Sequence, residues 1–102
     1  IEKCDVTVAR SAGDVVGFIA LQDSDIQALY LRPDARGCGL GSRFLDHAKS
    51  ASDRLWLWTF QADHAAQRFY VNNGFVENTR TDGQGNDEKL PDIHYMWKRD
   101  AT

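Results

Sequence analysis

Arg36-Gly37-Cys38-Gly39-Leu40-Gly41 stands between an apolar run that ends at Leu31 and an amphipathic run that starts at Leu40. Three alternating glycines in that setting describe a strand that ends in a backbone nest and opens a helix. Glycine admits positive φ and lets the backbone come close to a ligand with no Cβ between them. The helix start turns unpaired N–H groups and a partial positive charge toward the same spot. The turn therefore reads as a phosphate cradle. The same pattern also serves as a plain strand-to-helix connection, so the neighbours on either side have to decide.

Upstream, residues 26–31 put Ile26, Ala28 and Tyr30 on one face and Gln27, Leu29 and Leu31 on the other. This predicts a strand that is apolar on much of both faces and covered on both sides. Arg32-Pro33-Asp34-Ala35 breaks it, because Pro33 lacks a donor and pushes Arg32 out of the helical region. Residues 4–10 alternate Val6 and Val8 with Asp5 and Thr7, and with residues 15–21 they predict an antiparallel hairpin. The run 15–21 is far too short to span a bilayer.

Downstream, Leu40, Phe44, Leu45 and Ala48 recur at helical spacing to about Ala51. Residues 55–60 alternate aliphatic and Trp side chains, a strand with different packing partners on its two faces. Asp63 predicts the N-cap of a second helix that carries Ala66, Phe69 and Tyr70 on one face and stops at Asn73-Gly74. Residues 75–80 and 91–97 predict a closing antiparallel hairpin with a mobile tip across 81–89. The order is β-β-β-α-β-α-β-β, an α/β fold with a mixed sheet and helices packed on it. Residues 1–102 are expected to form one domain.

The 42% hydrophobic and 26% charged composition is that of an ordinary globular chain. A net charge of -3 with interspersed signs argues against nucleic acid or an anionic membrane as the main partner. Cys4 and Cys38 make neither a metal-ligand spacing nor a disulfide framework, so the expected compartment is the cytoplasm. His47 and His64 are far apart in sequence and give a metal site no support.

Together these residues resemble the GNAT superfamily of N-acetyltransferases, its small bacterial members in particular. Arg36-x-x-Gly39-x-Gly41 is similar to the superfamily's acyl-CoA pyrophosphate loop, and Ala65-Ala66-Gln67-Arg68-Phe69-Tyr70-x-x-x-Gly74-Phe75 to its second cofactor motif. With residues 91–97 the likeness covers nearly the whole chain. It implies acetyl-CoA as co-substrate, no metal, and transfer of the acetyl group to a primary amine of a small molecule or peptide.

The resemblance also implies roles. The N–H groups of Arg36, Gly37, Cys38, Gly39, Leu40, Gly41 and Ser42 would hold the diphosphate. The pantetheine arm would lie along Leu29, Tyr30 and Leu31 as if it were another strand, with a backbone N–H near Leu29 or Tyr30 as oxyanion donor. Asp63 and Phe69 would flank the cofactor. Tyr70 would be the catalytic acid that protonates the departing thiolate, although helix periodicity alone makes it a core aromatic beside Phe69. Gln27 fills a position where many members carry an acid, and a neutral amide cannot serve as base; Asp25, His94 or a water chain are the remaining candidates. Asp63 reads mainly as a cap and Cys38 as a small spacer.

The family's first strand and helical pair have no counterpart before Cys4, and the chain opens at Ile1 rather than Met. The expectation is an N-terminally shortened member whose exposed strand edge invites a homodimer. Two rivals remain. A nucleotide-binding domain shares the strand, glycines and helix, but a chain that opens and closes with hairpins lacks the repeated βαβ units, and no Gly-Lys-Ser/Thr follows the loop. A non-catalytic acyl-CoA-binding or interaction module on the same fold keeps weight because of the missing start.

Overall fold

The computed structural model describes residues 5–99. Cys4, the expected start of the first strand, lies outside them. Strand β1 (Asp5–Ser11) turns into β2 (Asp14–Gln22) through Ala12 and Gly13, whose φ values of 52° and 87° match the right-handed twist of a two-residue hairpin. β3 (Asp25–Leu31) follows, then a 3-10 turn (Pro33–Ala35), α1 (Leu40–Ala51), β4 (Arg54–Phe60), α2 (His64–Asn72), β5 (Val76–Thr81) and β6 (Asp92–Lys98). The strands and helices come in the expected order, with ends displaced by a residue or so. Among the described residues no helix is long and apolar enough to cross a membrane.

The chain falls into two compact units, Ile1–Leu55 and Trp56–Thr102. In the first, β1 pairs antiparallel with β2 and β2 with β3, placing Phe18 opposite both Val8 and Tyr30. α1 packs on β2 and β3 through its apolar stripe. Phe44, Leu45 and Ala48 from that stripe are buried, as are Val16, Ile19 and Leu21 of β2 and Ile26 of β3. Fully buried side chains such as Ile19 and Leu45 each stabilise the unit by about 1.5–3 kcal/mol. In the second unit β6 lies between β4 and β5. Leu57, Phe75, Ile93 and Tyr95 are buried, while α2 buries no residue completely.

Two expectations need correction. β3 is not covered on both sides: Ile26 is buried, but Gln27 and Ala28 are exposed and Tyr30 keeps 43% of its surface. Apolar content on both faces of a strand marks contact potential, and here one face is left open to solvent. The β5–β6 connection, expected to be a mobile tip, is tied together by its own side chains. Asp92, only 8% exposed, accepts from Thr81 Oγ1 and from Asn86 Nδ2 (3.1 Å). Asn86 also donates to Leu90 O (2.8 Å) and accepts from Leu90 N (3.3 Å). Gln61 Nε2 donates to Thr81 O (3.0 Å) and Asp92 O (3.2 Å) at the base of the loop.

Gly83 makes that knot possible. Its φ is +86°, and a Cβ there would lie 2.3 Å from the Leu90 backbone, whereas a Cβ at Gly85 would meet nothing within 4 Å. Gly83→Ala is expected to cost about 2–4 kcal/mol from left-handed strain plus overlap, and Gly85→Ala to be close to neutral. Urea unfolding of the two variants checks this, and equal midpoints would show that the knot does not hold the hairpin.

Candidate active site

The glycine turn is built from the end of β3 outward. Pro33 opens the 3-10 turn, which Ala35 N closes on Arg32 O (2.8 Å). Arg32 grips Asp34 through Nε (2.5 Å) and a terminal nitrogen (2.9 Å), which raises the Arg32 pKa and lowers that of Asp34. Arg36 Nε donates to Leu31 O (3.2 Å), so the loop's first arginine is anchored to the strand it leaves. Gly37 and Gly39 then take φ values of 81° and 85°, and neither has an atom within 4 Å of where a Cβ would stand. The space over both glycines is open.

Gly39 is the N-cap of α1 and has no side chain to cap with. The first backbone bond of the helix runs from Arg43 N to Gly39 O (3.1 Å). The N–H groups of Leu40, Gly41 and Ser42 therefore belong to the first turn, where helix geometry supplies no acceptor. α2 solves the same problem differently: Asp63 Oδ1 accepts from Ala66 N at 3.0 Å. Asp63 is thus a cap, as its place in the sequence suggested. The Cys38 thiol donates to Ala35 O (2.9 Å), which suits a small residue that helps fold the turn.

The first unit thus presents helix-start N–H groups beside open space, with Leu29, Tyr30 and Leu31 on the strand that leads into the turn. Open space at Gly37 and Gly39 and the uncapped helix start fit a diphosphate. Among the described residues no group of His, Cys, Asp or Glu is placed to hold a metal.

Tyr70 lies in the second unit, on α2, in an aromatic cluster. Its ring centroid is 5.1 Å from that of Phe69, 5.6 Å from Phe75 and 6.4 Å from Tyr95. Burial, with a smaller contribution from the negative charge of Asp63, pushes its phenol up to about 12. Among the described residues no hydrogen bond engages its hydroxyl. His94 stacks on Trp56 (5.9 Å) and lies against Trp58 (4.6 Å), and its Nδ1 is 3.0 Å from Asn78 Nδ2. A neutral ring that accepts the amide N–H at Nδ1 carries its proton on Nε2. Gln27 and Asp25 are exposed on β3.

A cleft of about 620 Å³ in the second unit was not foreseen; Trp58, Phe60, Thr81, Asn86, Glu88 and Asp92 line it. The alternation of Leu and Trp along β4 predicted only different packing partners on its two faces, and the loop that forms the opposite wall left no periodic trace.

The profile of the Acetyltransferase (GNAT) domain matches residues 2–77, more than half of the chain. The chain belongs to the GNAT family. Over 67 residues it is 34% identical to the peptidyl-lysine N-acetyltransferase YjaB of Escherichia coli (strain K12), covering 66% of this chain and 46% of the relative. It is 33% identical over 87 residues to an uncharacterized N-acetyltransferase of Mycobacterium tuberculosis, covering 74% of this chain and 56% of that one. The chain thus spans about half the length of the curated relatives it matches. Among solved structures, apo YjaB from Escherichia coli superposes with a TM-score of 0.81 at 27% identity, over 93% of this chain and 65% of that one. A Bacillus anthracis chain solved in complex with acetyl coenzyme A gives 0.84 at 22% identity, over 95% of this chain and 63% of that one. The mixed α/β fold is that of GNAT acetyltransferases.

The raised phenol gives a pH signature. Folded Tyr70 keeps its proton above the unfolded value near 10, so its stabilisation is complete below about pH 10 and is lost as pH rises toward about 12. Stability should fall over that window by up to about 2–3 kcal/mol on account of Tyr70, and less in Tyr70→Phe. Urea unfolding at stepped alkaline pH reads the difference; parallel pH profiles would remove the buried-phenol assignment.

Proposed function

We propose that the protein transfers an acetyl group from acetyl-CoA to a primary amine, with residues 1–102 acting as one acetyltransferase domain. The observation that carries this is the uncapped start of α1 behind two left-handed glycines, in a GNAT chain. In the first unit the residues fit the co-substrate: N–H groups from Arg36 to Ser42 hold its diphosphate, and Leu29, Tyr30 and Leu31 run beside the pantetheine. In the second unit Asp63 and Phe69 are assigned as further cofactor contacts. The complex of the Bacillus anthracis neighbour with acetyl coenzyme A supports the same ligand.

In the reaction the amine nitrogen attacks the thioester carbon, the C–N bond forms, the C–S bond breaks with its electron pair leaving on sulfur as the thiolate, and the proton lost by the amine passes to solvent. Tyr70 serves the sulfur. A phenol at about 12 lies more than three pKa units above an alkyl thiol near 8.5, so full proton transfer from it is uphill. Its contribution is a strong hydrogen bond to the sulfur as negative charge develops there. An amine acceptor is supported by the second unit's cleft, where Glu88 and Asp92 supply negative charge and Trp58, 53% exposed, supplies an aromatic face. The name of the lysine-acetylating relative points the same way.

We assign the protein to the cytoplasm on its sparse cysteines, and infer that two copies pair along β1. Among the described residues that strand is last in its sheet, and it exposes 58% of Val6 and 45% of Val8.

With acetyl-CoA and a panel of amines, Tyr70→Phe should lower kcat about 10–1000-fold with little change in KM for acetyl-CoA. Gly39→Val should instead weaken acetyl-CoA binding by about tenfold or more, since a β-branched residue resists positive φ. An unchanged rate in the first variant or unchanged affinity in the second overturns the corresponding role. Binding of acetyl-CoA without turnover of any amine would favour the non-catalytic module. Sedimentation should show a dimer that the double substitution Val6→Lys, Val8→Lys converts to monomer; a wild-type monomer at high concentration removes the pairing.

A further inference from the structure

The cleft of the second unit is bounded by one face of the β4–β6 pair and by the loop that follows β5. Residues two apart on a strand share a face, so Trp58 goes with Phe60 and Asp92 with His94. The 4.6 Å between the Trp58 and His94 rings puts both pairs on the same side of the sheet. His94 is itself held by Asn78 (3.0 Å), so the Trp58 indole keeps its place while 53% of the residue stays open.

The polar lining of this cleft is unbalanced. Thr81 spends its hydroxyl proton on Asp92, and Asn86 spends its two amide protons on Asp92 (3.1 Å) and Leu90 O (2.8 Å). Asp92, although buried, thus receives only neutral donors. Glu88 is exposed, and among the described residues neither carboxylate has a cationic partner. Lys89, next in sequence, turns its ammonium to Gln84 O (2.7 Å). What remains for a ligand is negative charge beside the faces of Trp58 and Phe60. A cation meets both, the carboxylates through its charge and the indole through the ring quadrupole.

The nitrogen that reacts gains nothing from such a place. An aliphatic amine with a pKa of about 10.4 is an ammonium at neutral pH and must lose a proton before it attacks. Carboxylates beside it hold that proton on and oppose the reaction. A second positive group, one that never reacts, is stabilised by the same charges without that penalty. We propose that the cleft selects acceptors that carry a second positive charge, a diamine in the simplest case, with Glu88 and Trp58 as the residues that set this specificity. The inference rests on the acceptor reading of the cleft given above and deepens it: the charged end is held here, and the free amine at the other end is acetylated.

Steady-state acetylation of cadaverine, a five-carbon diamine, and of pentylamine at one pH and ionic strength tests this. The ratio of kcat/KM should favour the diamine by about tenfold or more, because the charged contact and the cation–π contact are lost with the second nitrogen. Glu88→Gln and Trp58→Leu should each shrink that ratio by about threefold to tenfold. Glu88 lies outside the hydrogen bonds that tie Thr81, Asn86 and Asp92 together, so its substitution should leave the fold intact. Pentylguanidine, which keeps the charge and has no amine to acetylate, should compete with the diamine, and less well in Glu88→Gln. A ratio near one, a ratio that both variants leave intact, or no inhibition by pentylguanidine would overturn the selection and leave acetyl transfer standing. If no amine is turned over while calorimetry shows pentylguanidine binding that Glu88→Gln weakens, the acetyltransferase reading fails and the cation site stands.

Discussion

The amide groups at the start of α1 have no protein acceptor supplied by the helix, and much of the first unit is arranged around that omission. A helix normally recovers about 1 kcal/mol by capping its first turn, and α2 does so with Asp63. α1 begins on Gly39, which offers nothing. The preceding 3-10 turn, the Arg36 bond to Leu31 O and the Cys38 bond to Ala35 O fix the loop's approach without filling the space in front of those amides. Stability is left unclaimed at this spot, and a ligand with negative charge can supply it.

Tyr70, proposed above to act at the sulfur, shows the opposite economy. Tyr70 is wrapped in aromatic rings and half removed from water, which keeps its proton in place across the neutral range. A group in that state polarises a neighbour without changing its own charge. In the proposed reaction the two donors differ in kind: backbone amides are assigned to holding and a shielded phenol to activating.

Periodicity made the strands and helices legible. The Leu40–Phe44–Ala48 stripe announces one burial face, and the Asp63 cap and the glycine turn mark helix starts by local chemistry alone; the alternation of Val6 and Val8 announces a strand but not which face is covered, since both valines are exposed. Features that depend on distant partners were not legible. The exposure of Ala28 and Tyr30 depends on what stands over β3, which apolar character cannot say. The β1–β2 register shift, where Val16 of β2 is the extra residue, is a matter of pairing between strands and leaves no periodic trace. The polar run 81–89 looked loose because its composition is that of a loop. Its order comes from pairs such as Asn86 with Asp92 and Thr81 with Asp92, side-chain bonds with no period to detect.

That knot separates two jobs within one hairpin. Asp92 and Gly83 bind the base of the loop, while Gln84, Gly85, Asp87 and Glu88 are exposed beyond it. Most of those outer side chains can be exchanged without disturbing the pairing of β5 with β6, because the strands are locked below them. The rim of the adjacent cleft is therefore free to diverge in charge and shape at nearly constant stability, by a few changes in a single short segment.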